Sequence, residues 1–344
     1  MPASMNDILE RLLEGQSLTE REAGELMAGL AAPDLPPALA GAVLAALRAK
    51  GVTAAELRGF ALSMRALARK PQLASPLRAV DIVGTGGDKS SSLNLSTGAA
   101  LLAAACGVPI VKHGNRAVSS RAGSADVLEA LGLVIALDER RAAECFNSTG
   151  FTFLFAPHYH PAMKSIAPVR ASLGVRTIFN ILGPLANPAE PSSLVVGAFD
   201  VATAELMAQA LAGMNIERAL VIHGAAGWDE PTPIGPFEVF DVRDGAVRRE
   251  RRDPRDYGLS PCEPAELEGG DAAHNARVLQ RTLSGSEKGA TREALLLGAA
   301  LALEVFGLES APRLGVARAA EAIDSGRASG LLGKLVKFHE TQAA

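Results

Sequence analysis

The sequence predicts an α/β protein: a small all-helical domain plus a large α/β domain with a mostly parallel central sheet flanked by helices. Three observations predict it. Residues 1–70 place apolar residues at helical spacing, without β-branched runs. From residue 79 onward, short apolar runs alternate with helical patterns, which is how a parallel sheet is wound. Hydrophobic residues make up 48% of the chain but aromatics only 4%. The core is therefore built from Ala, Leu, Val and Ile, which suits helices packed on such a sheet.

The elements follow in order. Met5, Ile8, Leu9, Leu12 and Leu13 mark a first amphipathic helix. Thr19 with Glu22 forms a capping box ahead of Leu26, Met27 and Leu30. Pro36-Pro37 starts a third helix carrying Val43, Leu44 and Leu47, and Gly51 stops it. Thr53 with Glu56 opens a fourth, with Leu57, Phe60, Met64 and Leu67, ending at Lys70-Pro71. No convergent polar cluster lies in this part, which reads as a subdomain for packing or dimerisation. Strands are then expected at 79–83, 108–111, 133–135, 151–155, 194–199 and 218–222. The intervening helices fall at 96–106, 124–131, 138–149, 161–173 and 203–213. Pro168 should kink or restart the helix at 161–173. Asp244-Gly245 marks a hairpin turn between 237–243 and 246–252, and residues 271–341 are mostly helical.

At 344 residues the chain can bury a substantial core, as two domains or one large one. A net charge of −4 and a pI near 5.9 argue against nucleic acid as the main partner. Cys106, Cys145 and Cys262 are odd in number and lack metal-motif spacing, so reduced thiols in a cytoplasmic protein are expected. No apolar run is long enough to span a bilayer, so no membrane association is expected. The first fifteen residues carry acids among their leucines and lack a signal-peptide core.

The chemistry gathers in loops that follow strands. Val80-Asp81-Ile82-Val83 leads into Gly84-Thr85-Gly86-Gly87-Asp88, and Ser96-Thr97 opens a helix soon after. A strand, a Gly-rich loop and a helix N-terminus make a backbone cradle for phosphate or pyrophosphate. Alone, such a loop is also what an ordinary βα turn looks like. Three more loops follow other strands: Lys112-His113-Gly114-Asn115-Arg116 with Ser119, Ser120 and Ser124; Pro157-His158-Tyr159-His160; and His223-Gly224 with Trp228-Asp229-Glu230. In a doubly wound sheet these loops share one edge. Lys112 and Arg116 offer cations for a phosphorylated ligand, or else form a solvated basic loop. Asp229 and Glu230 suit Mg²⁺ held with substrate phosphates, though such a pair is often only solvated surface. His158 and His160 lack further ligands at zinc-motif spacing, and a pocket-lining role fits His158 better. The arginines 248, 249, 251 and 252 read as a solvated strand face diluted by Glu250 and Asp253.

Taken together, several motifs resemble the anthranilate phosphoribosyltransferase family. They are Asp81-Ile-Val-Gly-Thr-Gly-Gly-Asp88, Asn94-Leu-Ser-Thr97, Lys112-His-Gly-Asn-Arg116, Gly123-Ser-Ala-Asp126, Ala167-Pro-Val-Arg170, the run from Gly174 to Pro188, and Asp229-Glu230. They occur in the family's order and span most of the chain. The resemblance implies a helical domain of residues 1–70 plus a segment near 165–190, and an α/β domain of 75–164 and 191–344. It implies a homodimer formed through the helical domains. The implied reaction is transfer of the 5-phosphoribosyl group from phosphoribosyl pyrophosphate (PRPP) to the amine of anthranilate, in tryptophan biosynthesis, with two Mg²⁺ per subunit.

Residue by residue, the resemblance puts Gly84, Gly87, Asp88, Ser92, Asn94, Leu95, Ser96 and Thr97 at PRPP. Lys112, His113, Gly114, Asn115, Arg116, Ala117, Val118, Ser119, Ser120 and Ser124 fall there too. It puts Gly84, His113, Asn115, His158 and Arg170 at anthranilate, and Ser96, Asp229 and Glu230 at the metal. No residue is expected to act as a dedicated acid or base, because an aromatic amine is already neutral at pH 7; Lys112 and Arg170 would position the reactants. Two departures stand out. Lys89, Ser91 and Ser92 occupy a stretch that is commonly Gly-Ser-Asn-Thr-like in the family, and Trp228 stands where Leu is common. The nearest rival is a pyrimidine nucleoside phosphorylase, which shares the architecture and attacks the same sugar carbon. A non-enzymatic, nucleic-acid-binding relative is the second.

Overall fold

A computed structural model describes residues 4–117 and 121–340. The N-terminal part is four helices: α1 (Met5–Leu13), α2 (Glu20–Leu30), α3 (Pro37–Lys50) and α4 (Ala54–Ala66). Both expected capping boxes form, Thr19 with Glu22 and Thr53 with Glu56, and Ser4 with Asp7 makes a third. Leu26, Met27, Leu44, Leu47, Leu57 and Phe60 are fully buried between them. Glu56 is also buried, and it is fully satisfied: it accepts from Leu18 N at 2.9 Å and Thr53 N at 2.8 Å, and pairs with Lys50 at 2.9 Å. A buried carboxylate persists only when it is bonded in this way.

The remainder alternates. In order come β1 (Leu77–Gly84), α5 (Leu95–Ala105), β2 (Ile110–Gly114), α6 (Ser124–Ala130), α7 (Glu139–Thr149), β3 (Phe151–Phe155), α8 (Ala156–Tyr159), α9 (Met163–Leu173) and α10 (Phe179–Leu182). They are followed by β4 (Pro191–Gly197), α11 (Val201–Ala212), β5 (Arg218–His223), β6 (Phe237–Arg243) and β7 (Ala246–Arg252). Four helices close the chain: α12 (Ala272–Leu283), α13 (Ala290–Phe306), α14 (Pro312–Asp324) and α15 (Arg327–Glu340). The sheet order is β3-β2-β1-β4-β5-β6-β7. The first five pair in parallel, and the predicted hairpin β6–β7 adds to the edge antiparallel.

Alternation along the strands sorts the core. Val195, Leu220, Ile222 and Val239 face the layer holding α5 and α13, whereas Leu194, Val196, Ala219, Val221, Phe240 and Val242 face α11 and the N-terminal helices. Both faces are covered, as a parallel sheet requires. The chain leaves β1 toward β2 on one side and later returns to pair β4 on the other, so β1 is the topological switch point, where ligands bind in such sheets.

Three expectations need correction. Residues 133–135 are no strand: Leu133, Ile135 and Leu137 are buried in alternation, but no strand pairs with them beyond the β3 edge. The helix does not restart at Pro168 but runs through Met163–Leu173; the ring removes one helical donor in the second turn, and Ile166 and Val169 stay packed on either side of it. The second strand runs from Ile110 to Gly114, because pairing with β3 extends from Ile110–Phe151 to Gly114–Phe155. Lys112 and His113 therefore lie on a strand and not on a loop.

Candidate active site

The C-terminal ends of β1, β2, β3 and β5 share one edge, and the four polar segments meet there. Gly84 ends β1, and Gly86 and Gly87 turn the chain with φ of 65° and 75°. The turn is wrapped around the acids after β5. Gly86 N donates to Asp229 Oδ2 at 2.6 Å, and Asp229 N donates to Asp88 Oδ2 at 3.1 Å. Ser96 N, in the first turn of α5, donates to Glu230 Oε1 at 3.1 Å. The cradle and the acid pair are thus one structure, although Asp88 and Asp229 stand 141 residues apart in sequence.

Asp229 is only 7% exposed. Burial, with Glu230 and Asp88 close by, raises its pKa well above the usual carboxylate range. Burial lifts Glu230 to about 7, opposed by the Lys112 charge and by Ser96. Among the described residues no group of three or more His, Cys, Asp or Glu is arranged to hold a metal. The donor set is two carboxylates beside the Ser96 hydroxyl, and this fits Mg²⁺, which takes few protein ligands and completes its shell with water and phosphate oxygens.

Lys112 is 1% exposed, and its ammonium donates to the Ile82 carbonyl. Burial lowers its pKa, and Asp81 and Glu230 oppose that. Asp81, fully buried inside β1, is the counter-charge. It accepts from Asn187 Nδ2 at 2.8 Å and from His113 N at 3.2 Å. Burial raises its pKa to about 6, opposed by Lys112. Arg116 is also engaged, with Asp126 and Glu129 both at 2.8 Å. Neither of the predicted cations stands free in this structure.

The other predicted residues divide by side chain. Ser92 lies beside Ser90, whose hydroxyl donates to it at 3.1 Å. Asn94 caps α5 and is tied to Ala122 O at 3.0 Å and to Asn275 Nδ2 at 2.9 Å. Leu95 and Thr97 are buried, and Leu95 lines the cavity beside Ser96, Asp229 and Glu230. Gly114, Asn115 and Ala117 continue from β2, and Ser124 Oγ donates to Asn115 O at 3.3 Å. Val118, Ser119 and Ser120 lie outside the described residues.

On the acceptor side, His113 Nδ1 faces Gly183 O at 3.3 Å, and its ring meets His160 edge-on at 5.0 Å. A carbonyl only accepts, so Nδ1 carries the proton, and Nε2 is left buried without a partner. Burial lowers His113 to about 3 and His160 to about 4, so both rings are neutral. His158 lies on α8, with its Nε2 also buried and unpartnered. Arg170, in the last turn of α9, stacks over Phe179 at 5.1 Å. It has no acidic partner among the described residues, and burial lowers its pKa.

From the sequence, Asn187 and Arg176 have no role, Asp81 has none beyond its place in the strand motif, and His160 has none beyond its place in a polar loop. Asp81 had a signal: it is the lone acid in an apolar strand. Asn187 and Arg176 sit inside the long motif from Gly174 to Pro188, but nothing in their spacing gives their partners.

Comparison with known proteins places the whole chain in one family. The profile of the glycosyl transferase family, a/b domain, matches residues 77–329, and that of the glycosyl transferase family, helical bundle domain, matches residues 6–68. Anthranilate phosphoribosyltransferase from Desulforudis audaxviator is 46% identical over 336 residues, covering 98% of this chain and 96% of that protein. The enzyme of the same name from Methylobacterium nodulans is 44% identical, covering 97% of this chain and 98% of its own. The crystal structure of anthranilate phosphoribosyltransferase from Thermus thermophilus superposes with a TM-score of 0.91 at 42% identity, covering 97% of this chain and 99% of that one. The Saccharomyces cerevisiae enzyme in complex with PRPP and Mg superposes with a TM-score of 0.90 at 25% identity, covering 98% of both chains.

Proposed function

This chain belongs to the anthranilate phosphoribosyltransferase family, and on that premise we propose that it moves the 5-phosphoribosyl group from PRPP to the amine of anthranilate, releasing pyrophosphate, with Mg²⁺ bound. The observation that carries the reading is the closure of the Gly-rich turn on the acid pair: Gly86 N on Asp229 and Ser96 N on Glu230. It brings the Gly-rich turn and the acid pair together at the switch point of the sheet, which supports reading them as a diphosphate cradle beside a pair of cation ligands.

Each residue then has a chemical task. The cradle N–H groups and the start of α5 bind diphosphate oxygens. Asp229, Glu230 and the Ser96 hydroxyl would hold the metal, and two ions per subunit match the charge of the leaving group. A metal ion held there would supply charge neutralisation for the leaving diphosphate. Lys112, bonded to the Ile82 carbonyl beneath the cradle, offsets the negative charge of Asp81 and Glu230. As the bond from ribose C1 to the diphosphate lengthens, that carbon gains oxocarbenium character and the neutral aromatic amine adds to the opposite face. Catalysis then rests on positioning and charge stabilisation. Arg170, which has no acidic partner among the described residues, would offer its guanidinium fork to the anthranilate carboxylate. His113, whose ring burial keeps neutral, and His158 would line the same acceptor approach, with Gly84 and Asn115 beside them. Asn94, Ser92, Ser124 and the Lys112–Ser120 segment would border PRPP.

The division into a helical domain (1–70 with 165–190) and an α/β domain (75–164 with 191–344) belongs to the same proposal. It is supported by Ile166, Val169, Ile178 and Phe179, which share a core with Leu44 and Phe60. A homodimer through the helical domains would cover Leu13 of α1, which is 65% exposed. A cytoplasmic setting suits three free cysteines.

One assay tests the reading. Anthranilate fluorescence should fall with PRPP and Mg²⁺, and thymidine and uridine should resist phosphorolysis. Phosphorolysis without loss of anthranilate would move the chain to the nucleoside phosphorylase reading.

A further inference from the structure

We infer that Arg176 is a latch that locks the donor cradle to the acceptor segment, and so sets the distance between the two reactants. Arg176 lies in the short connection between α9, which carries Arg170, and α10. Its guanidinium Nη2 donates to the carbonyl of Gly87 in the cradle. The planar group also lies 4.0 Å above the Phe199 ring, at the end of β4. Stacking and hydrogen bonding together fix an otherwise flexible side chain, and this combination is specific to arginine.

The connection that carries Arg176 is itself held on both sides. Arg48 Nη1 of α3 donates to Arg176 O at 2.8 Å, and Thr177 N donates to Asn180 Oδ1 at 2.9 Å. The cradle end is equally constrained. Gly87 has φ of 75°, which side-chain-bearing residues adopt only under strain, and a Cβ there would lie 3.3 Å from Arg176 Nη2, so the guanidinium would have to shift by a few tenths of an ångström. Beyond Gly87 the path continues through Asp88 Oδ2 to Asp229 N at 3.1 Å. A contiguous chain of contacts therefore runs from α3, through Arg176 and the cradle, to the cation ligands.

This role rests on the proposed reaction and deepens it. The latch acts through Gly87 and through the segment that bears Arg170. Arg176 is a positioning residue. Misplacing a bound reactant costs turnover more than affinity.

The test is steady-state kinetics of Arg176→Ala, Arg176→Lys and Phe199→Leu with PRPP, anthranilate and Mg²⁺, alongside thermal unfolding. Arg176→Ala should lower kcat by about 10- to 100-fold, while both KM values stay within about threefold. Arg176→Lys should recover part of kcat, because it keeps a donor without the planar stack. Phe199→Leu, which leaves the guanidinium in place and removes its platform, should fall between them. A rise confined to the PRPP KM, with kcat unchanged, would make Arg176 an ordinary donor ligand and overturn the latch. So would unchanged kinetics in a wild-type-like fold. Absence of any wild-type turnover with these substrates would overturn the proposed reaction instead, and normal wild-type turnover with unaltered variants would overturn the latch alone.

Discussion

A methyl group built on the α-carbon of Gly84 would lie 2.4 Å from Asp229 Oδ2. The last residue of β1 and the first acid after β5 share a space that admits no side chain. Gly84 does not use a left-handed conformation, so the requirement is contact, not backbone freedom. Gly84→Ala should therefore fold, with the cost falling on the carboxylate it displaces. Activity should drop about 100-fold, as expected for a displacement near 1 Å in a positioned group. The Mg²⁺ concentration giving half-maximal rate should rise with it. An alanine variant with wild-type metal dependence would separate Gly84 from the cation site.

Asp229→Asn and Glu230→Gln keep shape and remove charge. Each should shift the Mg²⁺ titration to higher concentration, and the double change should abolish metal dependence within a soluble range. Because burial penalises the charged form of both acids, the neutral variants should unfold at temperatures equal to or above wild type in the absence of metal. A metal titration that does not move in either variant would reject the ligand role.

Arg170 stacks on Phe179 and has no carboxylate within reach among the described residues. Its removal should therefore leave no orphaned partner, and the effect should fall on the substrate. Arg170→Ala should raise the anthranilate KM by about 30-fold, the equivalent of roughly 2 kcal/mol for a charged pair, and leave the PRPP KM nearly unchanged. Equal effects on both substrates would take Arg170 out of the acceptor site.

Much of this was legible in the sequence because it depends on local rules. The capping boxes at Thr19 and Thr53, the hairpin at Asp244-Gly245 and the polar loops after successive strands each follow from a few neighbouring residues. What was not legible depends on pairing over distance. Lys112 reads as a loop cation, but register with β3 draws it into β2 and buries it against Ile82. Residues 133–137 alternate like a strand, yet alternation cannot say whether a partner edge is present. Arg176 sits in a quoted motif, but its partner Gly87 is 89 residues away in sequence.

Lys89 shows the same limit from the other direction. The sequence marked Lys89 and Ser91 as departures from a Gly-Ser-Asn-Thr-like stretch, without a reason. Both have positive φ, 63° and 54°, and glycine and asparagine are the residues that tolerate that region best. Lys89→Gly should relieve backbone strain and raise stability by up to about 1 kcal/mol, less the added chain entropy of glycine. Thermal unfolding checks it; a loss of stability would mean that the lysine side chain holds the loop through a contact of its own.

The last prediction concerns acid stability, away from the site. His339 of α15 is 3% exposed, with Nδ1 unpartnered and Cys145 Sγ 4.0 Å from Nε2. Burial, aided by the Arg141 charge, lowers its pKa to about 4 from an ordinary 6.5. The folded state thus resists a proton that the unfolded chain accepts between about pH 6.5 and pH 4. Within that window stability falls as pH falls, and the penalty levels off below the folded-state value. His339→Gln removes the titrating ring and keeps polarity. At pH 7.5 the variant should be no more stable than wild type, because both are neutral there and the native packing favours histidine. Between pH 6 and pH 5 the difference should move toward the variant by up to about 1.4 kcal/mol per pH unit. Urea unfolding of both proteins at pH 7.5, 6 and 5 measures this directly, and the buried carboxylates that titrate in the same range cancel in the comparison. Parallel stability profiles at the three pH values would show that His339 takes up its proton without unfolding the helix.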